Sequence, residues 1–312
     1  MLRSTCRRVN VAFAVREELS DKRLLVVTGK GGVGKTTLSA ALAVQSAREG
    51  LRTLVCEVNT KERISQLLGK PEVGPDVTAL DENLWAVDVR PQEAMREYAL
   101  MLLKFESIYN AVFENRVVRY FLRFIPSLQE LVLLGKILFH LKEKRSDGRW
   151  RFDRIIIDAP ATGHAVTFFS VPQVILDTVP PGAMSDDATW MRDLLVDPKT
   201  TAVVLVSLPE DMPVNETIEL HATLKNKVKM HPKLVVLNGF IPERFEASEL
   251  SGLSPALHEV GQAHQARAAL SAASLAKLKT LGVEVLTVPR LFTPEFGRAA
   301  VDQIAQRLGS AR

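Results

Sequence analysis

The sequence predicts an α/β protein built on a doubly wound, mostly parallel sheet with a helical insertion. Apolar, β-branched runs recur along the chain, and helical patterns lie between most of them. Continuous Val, Ile and Leu runs are typical of strands that are covered on both faces. The resulting β-α-β order predicts a parallel sheet with helices on both sides. One long segment, residues 92–144, lacks a strand signal and interrupts this order.

Individual elements follow from these patterns. The predicted strands are residues 24–28, 53–58, 84–89, 154–158, 202–207, 234–237 and 283–288. The predicted helices are residues 36–49, 61–68, 215–228 and 295–308. Residues 240–274 are rich in Ala and Ser, and we expect a loop and a helix there.

The chain is expected to consist of a leader, residues 1–22, and one domain, residues 23–312, with the helical insertion at residues 91–150. A length of 312 residues suits one large domain with an insertion. The leader carries four arginines before its first acid, Glu17, so it is either a targeting segment or a plain leader. Its apolar stretch, residues 9–15, is too short for a signal-peptide core, which favours a plain leader.

The composition excludes several classes of protein. Hydrophobic residues make up 46% and charged residues 24%. These ordinary globular values exclude a disordered, collagen-like or low-complexity chain. A net charge of +4 is too small for a dedicated nucleic-acid binder, so no specific nucleic-acid partner is expected. Residues 96–151 hold eleven Lys and Arg against six Asp and Glu, and this local +5 accounts for the whole excess. That segment presents either a solvated outer face or a partner-binding face.

Cysteines and apolar stretches bear on the compartment. The two cysteines, Cys6 and Cys56, form no CxxC motif, which excludes a disulfide framework and a cysteine-rich zinc site and favours the reducing cytoplasm. The longest uncharged stretch, residues 159–176, is interrupted by Pro160 and Pro172 among other residues. We therefore expect no transmembrane helix and no integral membrane protein.

The strongest motif begins where the first predicted strand ends. Residues 29–36 read GKGGVGKT, which fits G-x-x-x-x-G-K-[ST], and an apolar helical run follows. The glycines let successive backbone N–H groups converge on phosphates at a helix N-terminus. We expect Lys35 to reach the β- and γ-phosphates and Thr36 to offer a hydroxyl to Mg²⁺. The motif predicts an ATP-binding P-loop NTPase, with nucleotide-binding residues Gly29, Gly31, Gly32, Val33, Gly34, Lys35, Thr36 and Thr37.

An aspartate closes the predicted strand at residues 154–158. A carboxylate at the end of such a strand is where a metal-side acid is needed in phosphoryl transfer. Asp158 is therefore the second candidate metal ligand, beside Thr36.

Lys30 places a second lysine inside the loop. The run G-K-G-G-x-G-K-T resembles the deviant P-loop of the family that includes the cell-division-site and plasmid-partitioning ATPases, nitrogenase iron protein, and the arsenical-pump and guided-entry ATPases. The resemblance implies that Lys30 contacts the nucleotide of a partner protomer. It also implies a dimer of two copies, or of this chain and a related subunit, that encloses two ATP molecules. The alternative is a solvated loop lysine.

Later motifs resemble the branch of the arsenical-pump and guided-entry ATPases, the ArsA-like anion-transporting ATPases. Residues 158–164, DAPATGH, are similar to the D-T-A-P-T-G-H switch of that branch, although the proline falls one position early. Residues 208–217 resemble its I-P-E…E-T segment. The resemblance covers residues 24–308 and implies that Asn238 recognises adenine and that Pro289 and Leu291 close over the base.

One position departs from this branch. A gap-free match places residues 57–59, E-V-N, on S-T-D, so Asn59 replaces the aspartate that orients the attacking water. Phosphoryl transfer demands positioning more than proton abstraction, so an amide can still orient the water, but it cannot act as a base as a carboxylate does. We therefore expect intact ATP binding and slow hydrolysis. Glu57, two residues earlier on the same side of the pleat, either takes over this catalytic role or bonds the loop.

Two functional interpretations remain open. In the first, a dimeric ATPase binds an apolar client helix or membrane-protein partner in its helical insertion, although the apolar residues at 100–113 and 128–141 could simply be core. In the second, the chain is a nucleotide-dependent scaffold or positioning switch with little turnover. A metalloid pump and a zinc-clamped dimer are disfavoured because each needs cysteine thiolates that this chain lacks. We expect neither Cys6 nor Cys56 to carry function.

Overall fold

The computed structural model describes residues 18–58, 64–103 and 128–309. Its centre is a sheet of eight strands in the order β3-β4-β2-β5-β1-β6-β7-β8. All neighbouring strands pair in parallel except β3 and β4, which are antiparallel. The strands are β1 (Leu24–Gly29), β2 (Thr53–Val58), β3 (Thr78–Asp81), β4 (Leu84–Val89), β5 (Arg154–Ala161), β6 (Thr201–Ser207), β7 (Pro232–Phe240) and β8 (Glu284–Pro289).

Helices cover both faces of this sheet, so the predicted doubly wound α/β fold is confirmed. Within β1, Leu25 and Val27 pack with α1, α2 and α9, whereas Leu24 and Val26 pack with α4 to α8. This alternation is the period-two pattern of a strand buried on both sides. The helices are α1 (Lys35–Arg48), α2 (Ile64–Leu67), α3 (Pro91–Leu103), α4 (Leu128–Phe139), α5 (Thr162–Thr178), α6 (Ala183–Val196), α7 (Asp211–Thr223), α8 (Pro255–Lys279) and α9 (Arg298–Gly309).

The seven predicted strands are present, with ends that shift by at most three residues. The sequence did not predict β3, a four-residue edge strand that buries a single side chain. It also did not predict α5, where Gly163 and Pro172 lie within the helix although both indicate breaks, and it did not predict α6. The loop and helix expected at residues 240–274 are present as a short 3₁₀ turn and the 25-residue α8.

The helical insertion is described only at its two ends, by α3 and α4, because residues 104–127 lie outside the described residues. In α4, Leu131, Leu134 and Ile137 are fully buried in the same cluster as Ile155 of β5. These apolar residues therefore belong to the core, which is the alternative that the sequence left open. Whether residues 91–150 form a distinct subdomain stays a prediction.

Two further expectations concern the leader and a membrane-spanning helix. The leader, including Cys6, lies largely outside the described residues, which begin at residue 18. In the part of the chain that is described, no helix combines the length and the apolar character needed to cross a bilayer.

Candidate functional site

The phosphate loop leaves the sheet at Gly29, the last residue of β1. Gly29 has a φ of 155°, and a Cβ added there would overlap the carbonyl oxygen of Val206 in β6. Gly32 and Gly34 also have positive φ, of 81° and 92°. Residues other than glycine rarely adopt these angles, so the glycine pattern of the motif is what allows the chain to turn between β1 and α1.

Helix α1 begins at Lys35, directly after this turn. Its N-cap residue, Gly34, makes no side-chain capping bond, and the positive end of the helix dipole faces the loop. The Lys35 ammonium donates a hydrogen bond to the carbonyl oxygen of Lys30, with an Nζ–O distance of 3.1 Å. A loop of N–H groups under a folded-back ammonium is a site for phosphate.

Asp158 is held by two hydroxyl groups of α1. Thr36 Oγ1 donates to Asp158 Oδ2 at 2.7 Å, and Ser39 Oγ donates to Oδ1 at 3.0 Å. All three side chains are buried. Ser39 was not predicted, although its place three residues after Thr36 puts it on the same face of the helix. Hydroxyl and carboxylate oxygens are the donors that Mg²⁺ prefers, so Thr36 and Asp158 fit the predicted ion.

Two more carboxylates lie in register with Asp158 across the neighbouring strands. Glu57 of β2 pairs with Asp158 on one side and with Asp88 of β4 on the other. Glu57 has no exposed surface, and its Oε1 accepts a hydrogen bond from the Ile64 backbone N–H at 2.6 Å. Glu57 therefore bonds the far end of the loop that follows β2, as one of the two alternatives expected. Asn59 lies outside the described residues.

Asp88 was not among the predicted residues. It is 4% exposed, and its Oδ2 accepts a hydrogen bond from Arg90 Nε at 2.6 Å. This bond raises the pKa of Arg90 above its ordinary value. Its position one residue before the end of an apolar strand, as for Glu57, is the signal that could have found it.

Lys30 is not a solvated loop lysine in this structure. Its Nζ lies 2.7 Å from Oε1 of Glu216 in α7, and the two side chains are 25% and 33% exposed. The other oxygen of Glu216 accepts a hydrogen bond from Thr162 Oγ1 at 3.4 Å. Sequence comparison placed Glu216 in a motif but gave it no role.

The residues expected to contact the base lie at the edge of the sheet from which the phosphate loop leaves. The Asn238 Nδ2 group donates to the carbonyl oxygen of Val33 at 2.9 Å, so the amide is bonded to the phosphate loop. In the next strand, Val288 pairs with Asn238, and β8 ends one residue later at Pro289. Leu291 is partly buried against the core. The structure therefore brings Asn238 to the loop and places the Pro289 segment beside β7.

Cys56 lies in the middle of β2 and is fully buried. Burial strongly raises the pKa of its thiol above the ordinary value. Such a thiol stays protonated at neutral pH and is a poor nucleophile and metal ligand.

Comparison with known proteins gives the family. The family described as "Anion-transporting ATPase" matches residues 22–180 and 181–265. ATPase BagA of Mycobacterium tuberculosis is 31% identical over 245 residues, which cover 75% of this chain and 69% of that protein. The arsenical pump-driving ATPase of Escherichia coli is 25% identical over 253 residues, 72% of this chain and 40% of that protein. A putative arsenical pump-driving ATPase of Halobacterium salinarum is 26% identical over 254 residues, 75% of this chain and 38% of that protein. With its motif placed at the end of β1 and most of its length matched, the chain belongs to the ArsA-like anion-transporting ATPase family and is a nucleotide-binding ATPase.

Proposed function

We propose that this ATPase binds ATP with Mg²⁺ at the phosphate loop, works as a dimer and hydrolyses ATP slowly to control the binding of a hydrophobic client. The observation that carries the proposal is the Thr36–Asp158 pair at the start of α1, which places two oxygen donors suited to Mg²⁺ beside the loop. ATP and Mg²⁺, when bound, supply the phosphoanhydride bond and neutralise its charge.

The chain's own residues would bind and orient the phosphates. The N–H groups of the loop and Lys35 offer positive charge, while Thr36 and Ser39 fix both oxygens of Asp158. Lys30 of each protomer would contact the nucleotide held by the other. Asn59 would orient the attacking water through its amide, which accepts no proton as a carboxylate does, and turnover would therefore be slow.

The turnover proposal is tested by exchanging Asn59. We expect Asn59→Asp to raise the ATP hydrolysis rate about tenfold or more with an unchanged KM, because a carboxylate adds proton acceptance to positioning. Lys35→Gln, which removes the ammonium over the loop, should abolish ATP binding and serves as the inactive control. A wild-type rate equal to that of Asn59→Asp and of Asn59→Ala would contradict the proposal.

A cavity between the two described helices of the insertion and α6 supports binding of a hydrophobic client. A space of about 350 Å³ lies between α3, α4 and α6, with Leu131, Phe139, Trp190 and Met191 among its lining residues. Phe139 is 54% exposed there. A space of this size accepts a few apolar side chains, and hydrophobic grooves bind amphipathic helices through such anchor side chains.

The positioning switch receives less support from the described residues. In this part of the chain, many cations of the basic segment are engaged within the molecule: Lys136 with Glu97 at 2.8 Å, Arg151 with Glu143 at 2.9 Å, Arg149 with Asp147 at 3.0 Å and Lys142 over the Trp190 ring at 3.4 Å. Each of these cationic groups is held by a partner within the molecule, so contact with an acidic surface would have to compete with that partner. We therefore favour the apolar client.

The client proposal is tested by copurification of a tail-anchored peptide in the presence of ATP. Phe139→Asp should reduce capture at least fivefold, whereas Leu257→Asp, at an equally exposed apolar position on α8, should leave it unchanged. Substitutions at the buried Leu131 or Leu134 are unsuitable because a charge there would unfold the protein. Equal capture by the Phe139 and Leu257 variants, or salt-sensitive binding to anionic vesicles instead, would favour the positioning switch.

A further inference from the structure

A single carboxylate of α7 connects two segments of the candidate site. Glu216 Oε1 accepts a hydrogen bond from Lys30 of the phosphate loop at 2.7 Å. Glu216 Oε2 accepts one from Thr162, the first residue of α5, at 3.4 Å. Glu216 is 186 residues from Lys30 and 54 from Thr162 in the chain, so only the fold brings them together.

The contact with Glu216 neutralises the charge of Lys30, the loop side chain that is proposed to contact the nucleotide of the other protomer. The Lys30 and Glu216 side chains are 25% and 33% exposed, so the pair is only partly screened by water. A charged donor on a carboxylate makes a stronger hydrogen bond than a neutral pair. A nucleotide phosphate must therefore compete with Glu216 for the Lys30 ammonium.

We propose that Glu216 is a positioning residue that restrains Lys30 on its own protomer and thereby sets how readily Lys30 reaches the nucleotide of a second protomer. This inference rests on the proposed role of Lys30 across the dimer. Thr162 follows β5, the strand that carries Asp158. The hydrogen bond from Thr162 to Glu216 therefore links the restraint on Lys30 to the metal side of the site. Loss of the Glu216 charge should release Lys30 and favour the dimer.

The test is the dissociation constant of the dimer formed with ATP and Mg²⁺, measured by analytical ultracentrifugation on the full chain. Glu216→Gln keeps the shape of the side chain and removes its charge. An exposed or half-exposed ion pair of this kind is worth about a factor of three per protomer, so the dissociation constant of a symmetric dimer should fall about tenfold. Glu219→Gln, an exposed charge change on the same helix, should have no effect.

A second background separates release of Lys30 from a general structural effect. With Lys30→Gln, the Glu216→Gln exchange should change nothing, because there is no ammonium to release. A merely structural role would weaken the dimer and would do so in both backgrounds. If Glu216→Gln fails to fold by thermal denaturation, Glu216→Asp, which shortens the reach to Lys30, should shift the dissociation constant in the same direction.

Each outcome decides the inference. An unchanged or weaker dimer in Glu216→Gln overturns it, and the proposed function stands as long as Lys30→Gln still weakens the ATP-dependent dimer to a measurable degree. If the wild type forms no dimer with ATP, or if Lys30→Gln dimerises like the wild type, the role of Lys30 across the dimer fails and the inference falls with it.

Discussion

Replacing Ser39 by alanine should weaken both the fold and the metal response of the site. The hydroxyl donates to the buried Asp158 carboxylate at 3.0 Å, and Ser39 itself has no exposed surface. A hydrogen bond to a charged group contributes about 1.5–3 kcal/mol. Alanine recovers about 0.5 kcal/mol through its higher helix propensity in α1. We therefore expect Ser39→Ala to lower the free energy of unfolding by about 1–2.5 kcal/mol, measured by urea denaturation at pH 7.

The same change should raise the Mg²⁺ concentration needed for half-maximal ATP hydrolysis. Thr36 still bonds one oxygen of Asp158, but the other oxygen loses the donor that fixes its orientation. Loss of a group that orients a metal ligand typically costs about 10- to 100-fold in metal affinity. We expect about tenfold, because one of the two orienting hydroxyls remains. Magnesium titration at saturating ATP gives this value directly.

Ser65 provides a matched control for both measurements. It is also fully buried, but its hydroxyl has no hydrogen-bond partner among the described residues. Ser65→Ala removes the same atom without removing a bond, so stability should stay equal or rise slightly and the Mg²⁺ response should not change. Equal effects of the Ser39 and Ser65 exchanges would refute the assignment of Ser39 as an orienting group for Asp158.

Three further predictions concern the scaffold of the site. Gly29→Ala should destabilise the fold by about 3 kcal/mol in urea denaturation, because the new Cβ meets a backbone oxygen at a φ suited only to glycine, whereas Gly31→Ala, with open space around it, should cost less than about 1 kcal/mol. Arg154 donates to three backbone carbonyls of residues 19–22, so Arg154→Lys should lower the thermal midpoint, and an unchanged midpoint would contradict this anchoring role. The hydrogen bond from Thr200 lowers the pKa of Asp197 below its usual 3.8, so its contribution is fully present above about pH 4 and is lost as the pH falls through the lowered pKa. Asp197→Ala should therefore cost about 1 kcal/mol at pH 7 and progressively less below pH 4, and a constant difference between pH 7 and pH 3 would disprove this origin.

The parts of the fold that sequence predicts well are those encoded over a few neighbouring residues. The loop from Gly29 to Thr36 follows from motif spacing, and buried strands such as β2 follow from unbroken β-branched runs. Helix α8 is harder to predict because few of its residues are buried, and most of those, such as Ala268 and Ser271, are small or polar. Its apolar period is too weak to mark a helix 25 residues long.

The candidate site likewise contains residues that local sequence predicts and residues whose contacts depend on the fold. Asp158 could be predicted because a strand end is a local signal, and its contact with Thr36 follows from the motif. The contacts of Ser39, Asp88 and Glu216 depend on strand register and helix placement, which no short window of sequence contains. Glu57 shows the limit most clearly, since its spacing suits two roles: the bond to the Ile64 N–H accords with the structural one, and the catalytic one stays a prediction.

Three strands, on both sides of β1, contact the phosphate loop or the start of α1. Val206 of β6 lies against Gly29, Asn238 of β7 bonds Val33, and Asp158 of β5 bonds Thr36. The loop is thus preorganised by the sheet, so a nucleotide that binds it has little chain entropy to remove. At protein concentrations too low for the ATP-dependent dimer, calorimetry should accordingly show ATP binding without the large heat-capacity change that accompanies coupled folding of a segment.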